Sequence, residues 1–126
     1  MEKVERQFKA LGDKTRLKIL SILSMRPCCV CEITDVLELS QSTVTRHLQK
    51  LTEAGFLEVR RHTFYQIYRI YPKDSLSKRL LSLVLEALKE SQEHQRLMKK
   101  LKEVEKLPFS VLESMFPEGW GYEEVC

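Results

Sequence analysis

The chain has 126 residues, with 21 Lys and Arg against 18 Asp and Glu, a formal net charge of +3. That length suits one domain, since chains usually divide only beyond about 250 residues, and 43% hydrophobic with 31% charged residues excludes a disordered tail. No apolar run approaches the ~18 residues of a membrane span, the charged opening Met1-Glu2-Lys3-Val4-Glu5-Arg6 is no secretory signal, and four Gly and four Pro are too few for a turn-rich β-sandwich. A cytoplasmic, mostly helical single domain is expected.

In chain order, Val4, Phe8 and Leu11 recur at helical spacing, Gly12 breaks the run, and Asp13 can cap a second helix. Leu17, Ile19, Leu20, Ile22 and Leu23 are too densely apolar for a surface helix, so this one belongs to the core; Pro27 ends it. A short helix over 31–37 follows, with Val30, Ile33, Val36 and Leu37 on one face. The next helix, from about 41 to 54, carries Val44, Leu48 and Leu51 inward, and Gly55 closes it. The period then changes to two: 56–61 and 65–70 alternate and are rich in β-branched and aromatic residues, a hairpin with His62-Thr63-Phe64 at its tip.

From about 75 to 107 the spacing predicts one long helix, on the order of 45 Å at 1.5 Å per residue. It would be longer than the domain is wide, so its outer part calls for a second copy of the chain. Leu80 and Leu88 are the expected dimer contacts. Pro108 ends this helix, 109–116 add a further turn or two, and Pro117 to Cys126 read as loosely held.

A short helix, a tight turn and a helix opening with small polar residues describe a helix-turn-helix. The second helix must enter a major groove about 12 Å wide, so its leading face needs short donors and acceptors. Ser40, Gln41, Ser42, Thr43, Thr45, Arg46 and His47 supply them, with Lys50 for phosphate. The hairpin is then a wing that lays Arg60, Arg61 and His62 on phosphates or in the minor groove. Residues 1–71 hold 12 basic against 8 acidic side chains, and within 41–71 the count is five (Arg46, Lys50, Arg60, Arg61, Arg69) against two. This is a modest positive patch. The order predicts a winged helix-turn-helix domain over 1–107, mostly α with a small β-hairpin and dimerised through terminal helices. Residues 108–126 form a short extension.

Three segments resemble signatures of the arsenic-repressor (ArsR/SmtB) family of winged-helix regulators. Residues 8–20, FKALGDKTRLKIL, are similar to its opening "ALGDPTRLRIL". Residues 39–51, LSQSTVTRHLQKL, with Glu53-Ala54-Gly55-Phe56-Leu57, look like its "LSQPTVSHHLKLLREAGLV". Cys29-Val30-Cys31-Glu32-Ile33 is similar to its thiol box "CVCDL". The resemblance implies a homodimeric repressor that sits on an operator inverted repeat in double-stranded DNA and leaves it when an inducer binds. Two departures are local: Ser42 stands where many members have Pro, and Thr63 replaces the wing-tip Gly, which predicts a wider turn.

Four cysteines sit at 28, 29, 31 and 126. Clustered thiols in a cytoplasmic chain point to soft-metal or redox chemistry before cross-linking. As(III), Sb(III), Cd(II) and Pb(II) prefer thiolate sulfur, and a pyramidal As(III) site needs three sulfurs, which Cys28, Cys29 and Cys31 can supply. On a regular helix Cys29 and Cys31 lie about 160° apart and Cys28 and Cys31 about 60°. Convergence therefore needs a distorted first turn or Cys28 and Cys29 ahead of it. In the resemblance, the third sulfur falls at the place of Thr34, so Cys28 must substitute for it or Cys126 must arrive from the tail. Four sulfurs would favour Cd(II) or Zn(II).

Other readings compete. Disulfide or persulfide sensing by the same thiols is one; a helical interaction module indifferent to DNA is another. His94, near Glu90 and Glu93, lacks the partners of a long-helix metal site and reads as solvated. No Gly-rich phosphate loop, Gly-x-Ser-x-Gly turn or spaced Cys, His and Asn set points to an enzyme.

Overall fold

The computed structural model describes residues 1–120. Seven helices and three short strands follow in the order α1 (Glu2–Leu11), α2 (Lys14–Leu23), β1 (Cys28–Cys29), α3 (Val30–Leu37), α4 (Gln41–Glu53), β2 (Leu57–His62), β3 (Tyr65–Ile70), α5 (Ser75–Lys89), α6 (Gln92–Glu103) and α7 (Phe109–Met115). The architecture is the expected winged helix-turn-helix. Asp13 caps α2 by accepting from the Arg16 amide at 3.0 Å, satisfying one of the orphan donors of a helix start. Gly55 follows α4 at φ 90, a left-handed residue that glycine adopts without steric cost.

The three strands form an antiparallel sheet in the order β1–β3–β2. β1 was not expected, because two residues carry no readable alternation. It pairs Cys28 with Tyr68 and Cys29 with Ile67. The wing turn is tight rather than wide: His62 pairs with Tyr65, leaving only Thr63 and Phe64 in the loop. Thr63 takes φ 52, so it adopts the left-handed backbone that Gly would have supplied, at a strain cost of about 1 kcal/mol or more.

The predicted continuous helix over 75–107 is broken at Glu90 and Ser91. The Ser91 side chain accepts from the His94 amide and starts a new helix, which doubles back so that α6 packs on α2. The apolar spacing persists on both sides of the break, which is why sequence periodicity ran through it. At 15 and 12 residues, α5 and α6 need no second copy of the chain to cover an over-long end. His94 is not solvated: it is buried at 6% exposure, and its Nδ1 meets the Ser21 hydroxyl of α2. Burial holds its imidazole below its ordinary value.

Two apolar clusters result. The main one joins α2, α3, α4 and one face of the sheet with Leu81, Leu85, Leu97 and Leu101. The second lies on the sheet's other face and gathers Cys29, Ile67, Leu107, Leu112 and Phe116, with Cys31, Met115 and Trp120 against it. The start of the tail is thus pinned, contrary to expectation. Glu118 meets both Arg60 and Arg69, Gly119 O accepts from Arg69 at 2.7 Å, and Trp120 stacks edge-on against Phe109. Among the described residues no helix is long and apolar enough to cross a membrane.

Candidate nucleic-acid interface and cysteine pair

The reading helix is set by its start and its buried stripe. Ser40 caps α4 by accepting from the Thr43 amide at 3.2 Å, and Val44, Leu48 and Leu51 are fully buried at 0% exposure. The turn before it is fixed by Glu38, which takes φ 56. Its amide bonds Thr34 O at 2.7 Å, and its carboxylate meets Lys100 of α6 at 2.8 Å. With the inner stripe held, Gln41, Ser42, Arg46, Gln49 and Lys50 are exposed and Thr43, Thr45 and His47 half-buried. This is a polar face ready for base edges and phosphates. His47 is the least free of the predicted contacts: its Nδ1 is 3.2 Å from Arg16, and burial lowers its basicity.

The wing departs from expectation at Arg60. That guanidinium bonds Glu58 at 2.7 Å and Met115 O at 2.6 Å, meets Glu118, and lies 4.8 Å over the Phe116 ring. It braces the C-terminal segment instead of waiting for phosphate. Arg69 is 2% exposed, held by Glu58, Glu118 and Gly119 O and lying over the Tyr71 and Phe116 rings. Of the five cations counted in the patch, Arg46, Lys50 and Arg61 remain exposed. His62 is half-buried at the end of β2, and Phe64 projects from the tip at 99% exposure.

The cysteines separate along β1, as successive strand residues must. Cys28 points into the main cluster at 0% exposure, its Sγ contacts Arg26 O at 3.4 Å, and burial raises its thiol pKa far above the usual range. As a third ligand beside Cys29 and Cys31 it is therefore corrected: it faces the opposite side of the strand and is held protonated. Cys29 and Cys31 come together as a disulfide. Cys29 Sγ also caps α3, accepting from the Glu32 amide at 3.3 Å. Among the described residues no group of three Cys, His, Asp or Glu side chains gathers around an ion-sized site; Cys126 lies outside the described residues.

Glu32, which sequence reasoning passed over, organises this corner. Its buried carboxylate pairs with Arg26 at 2.8 Å and accepts from the Cys29 amide at 3.0 Å, the Lys106 amide at 2.9 Å and the Leu107 amide at 3.4 Å. The signal was its place inside the Cys29–Ile33 box, but two of its partners, Lys106 and Leu107, lie 74 and 75 residues downstream. Beside the pair, a groove of about 660 Å³ runs between α3, α4 and the wing, lined by Cys31, Gln41, Thr45, Arg61, Phe64 and Tyr65 among others.

Residues 13–59 match the family described as bacterial regulatory protein, arsR family. An uncharacterized HTH-type transcriptional regulator of Methanocaldococcus jannaschii is 40% identical over 88 residues, 67% of this chain and 97% of that one. The arsenic resistance transcriptional regulator ArsR1 of Pseudomonas putida is 43% identical over 67 residues, 52% of each chain, so about half of that regulator's length is spanned. Among solved structures, the homodimeric winged helix-turn-helix DNA-binding domain of a possible ArsR-family regulator from Mycobacterium bovis is similar. Its TM-score is 0.60 at 33% identity, over 74% of this chain and 84% of that one.

Proposed function

Because the chain belongs to the ArsR family of bacterial regulatory proteins, we propose that it is a homodimeric repressor that leaves its operator when a thiophilic metal(loid) binds Cys29 and Cys31. As(III) or Sb(III) is the favoured inducer, with Cd(II), Pb(II) and Zn(II) as alternatives. The observation that carries the reading is the shared groove. The cysteine pair sits at the start of α3, and the same groove is lined by Gln41 and Thr45 at the start of α4. A ligand there meets the DNA-reading face directly. The Glu32 amide, 3.3 Å from Cys29 Sγ, holds this sulfur at the start of α3. The name of the P. putida relative points to arsenic.

In this reading α4 enters the major groove with Gln41, Ser42, Thr43, Thr45 and Arg46 toward bases. Ser40, His47 and Lys50 stand at its margins, and Arg61 and His62 reach the backbone from the wing. Residues 1–107 form the DNA-binding unit and 108–126 its extension. The dimer face is revised outward. Leu80 and Leu88 pack against the main cluster, whereas Val4, Phe8 and Leu83 are 40%, 57% and 67% exposed. Lys3 of α1 meets Asp74, the cap of α5, at 2.9 Å, and these exposed apolar side chains of α1 and α5 are the candidate dimer contacts, since a two-fold operator needs two heads.

The test is a fluorescence titration of operator DNA with reduced protein. Arg46→Ala or Gln41→Ala should cost about 1–3 kcal/mol on the specific site. Cys29→Ser and Cys31→Ser should bind DNA normally yet resist release by As(III), since a hydroxyl is a poor ligand for a soft ion; the coupling at stake is typically about 1–3 kcal/mol. Release that survives in every cysteine variant defeats the reading.

The disulfide favours a second reading, in which a peroxide oxidises the two thiols, taking up their two electrons and two protons as it is reduced to water or alcohol, and the oxidation is itself the signal. It requires oxidised and reduced protein to differ in operator affinity without any metal present.

A further inference from the structure

Arg16 reaches three helices at once. Its Nε donates to Ala10 O at 2.8 Å and its Nη2 to Lys9 O at 3.2 Å, both in the last turn of α1. Asp13, the cap of its own helix, stands 3.9 Å away. The remaining nitrogen, Nη1, lies 3.2 Å from Nδ1 of His47 on α4. Only 13% of the Arg16 side chain is exposed, so water competes little for these contacts.

A guanidinium carries donors and no acceptor, so Nδ1 of His47 must accept, which leaves the ring's one proton on Nε2. An imidazolium would set N–H against N–H and cation against cation. The other charged groups facing the ring are Arg46 and Lys50 from α4 and Asp13 from the cap of α2, of which Asp13 alone favours a charged ring. Lys9 of α1 and Glu53 of α4 line the adjoining hollow with Arg16. Burial and the surrounding cations hold the ring below its ordinary value.

Resting on the DNA-binding reading above, we propose that Arg16 is a positioning residue that locks His47 as the neutral Nε2–H tautomer, and that this proton is donated to a backbone phosphate of the operator. His47 is half-buried beside Leu48 and the inner stripe, apart from the exposed Gln41, Ser42 and Gln49. A side chain at the margin of a helix laid in the groove meets the strand that walls the groove before it meets base edges. Lys50, three residues on and exposed, borders the same edge. A neutral donor fixes register there without releasing a counterion. It also stays constant near neutrality, where a free histidine would gain charge.

The first test needs no variant. A two-bond 1H–15N spectrum of the full-length protein at about pH 7 should show His47 with Nδ1 bare and Nε2 protonated. A proton on Nδ1 overturns the proposal. Arg16→Lys, still a donor without an acceptor, should keep this tautomer, whereas Arg16→Gln, whose carbonyl can accept from Nδ1–H, should mix the two. A tautomer unchanged in Arg16→Gln shows that Arg16 does not set it.

The second test titrates an operator duplex and an unrelated duplex of equal length at rising salt. His47→Phe keeps a ring but loses the donor, and should weaken both duplexes by roughly three- to tenfold with the salt slope unchanged. A loss confined to the operator makes His47 a base contact and overturns the phosphate assignment. A slope flatter by about one unit makes the ring a cation and overturns its neutrality. Between about pH 8 and 6, Arg16→Gln should gain a few-fold more affinity than the parent, because its ring can charge beside phosphate. Equal pH profiles for the two proteins count against the lock. If the parent binds no duplex in a salt-dependent way, the DNA reading falls and the phosphate contact with it, while the spectrum still decides the tautomer.

Discussion

The two faces of the small sheet have opposite fates, and the adjacent residues Cys28 and Cys29 show why. Cys28, paired with Tyr68, faces the main cluster, where α2, α3 and α4 bury it completely. Cys29, paired with Ile67, faces the smaller cluster roofed by α7 and Phe116. Strand alternation leaves one thiol free in the main cluster and turns its neighbour to the other face, where it bonds Cys31. The same rule divides the wing arginines: Arg60 pairs across the sheet with Ile67 on the α7 side, whereas Arg61 pairs with Gln66 and lines the open groove. A shared residue type and near-identical sequence position say little about role when the backbone has period two.

The comparison breaks most completely at Glu32, which serves both faces. Glu32→Ala strands Arg26, 8% exposed, without its buried partner, and should cost about 3–5 kcal/mol in urea denaturation. It also frees the Lys106 and Leu107 amides, so protease sensitivity should appear after residue 103. A loss under 1 kcal/mol would mean that water replaces the carboxylate and the two faces are not tied through it.

The arginines give a smaller and sharper test. Arg61→Ala should weaken binding to all DNA sequences alike and flatten the salt slope by about one unit, whereas Arg60→Ala should leave the slope unchanged. Ending the chain after Lys106 removes Glu118 and the Met115 carbonyl from Arg60, and should steepen the slope by about one unit. Equal slopes for the two alanine variants would place Arg60 on DNA after all.

These tests also mark how far the sequence was legible. Asp13 as a cap, the Val44–Leu48–Leu51 stripe and Gly55 were readable because each acts through neighbours within one helix turn. The polar face of α4 followed from that stripe. The side of β1 that Cys28 takes was not readable, since a two-residue strand has no pattern. Nor was the engagement of Arg60, whose partners lie 55 and 58 residues away. Ser91 was the hardest case: a serine inside a continuing apolar period becomes a cap only because α6 can fold back on α2.

The smallest expected effect is a pH dependence set by His94 and, in part, by His47. Burial holds His94 below the 6.5 of a free imidazole, so the unfolded chain takes up protons first as pH falls. The stabilisation is complete above about 6.5 and is lost progressively below it. His94→Gln should flatten the urea midpoint between pH 7.5 and 5.5, leaving the part due to His47, which is lowered in the same direction. A midpoint in the parent that rises as pH falls through this range would show that His94 protonates more easily when folded.

The Glu32 carboxylate has one more consequence, in the rates at which amide protons leave the molecule. The Cys29, Lys106 and Leu107 amides all donate to it, so none can exchange with solvent until that one group lets go. These amides, at the start of α3 and just beyond α6, should therefore exchange deuterium as a single unit, with matched protection. Whatever displaces Cys29 would then register at 106 and 107 as well, through the carboxylate they share.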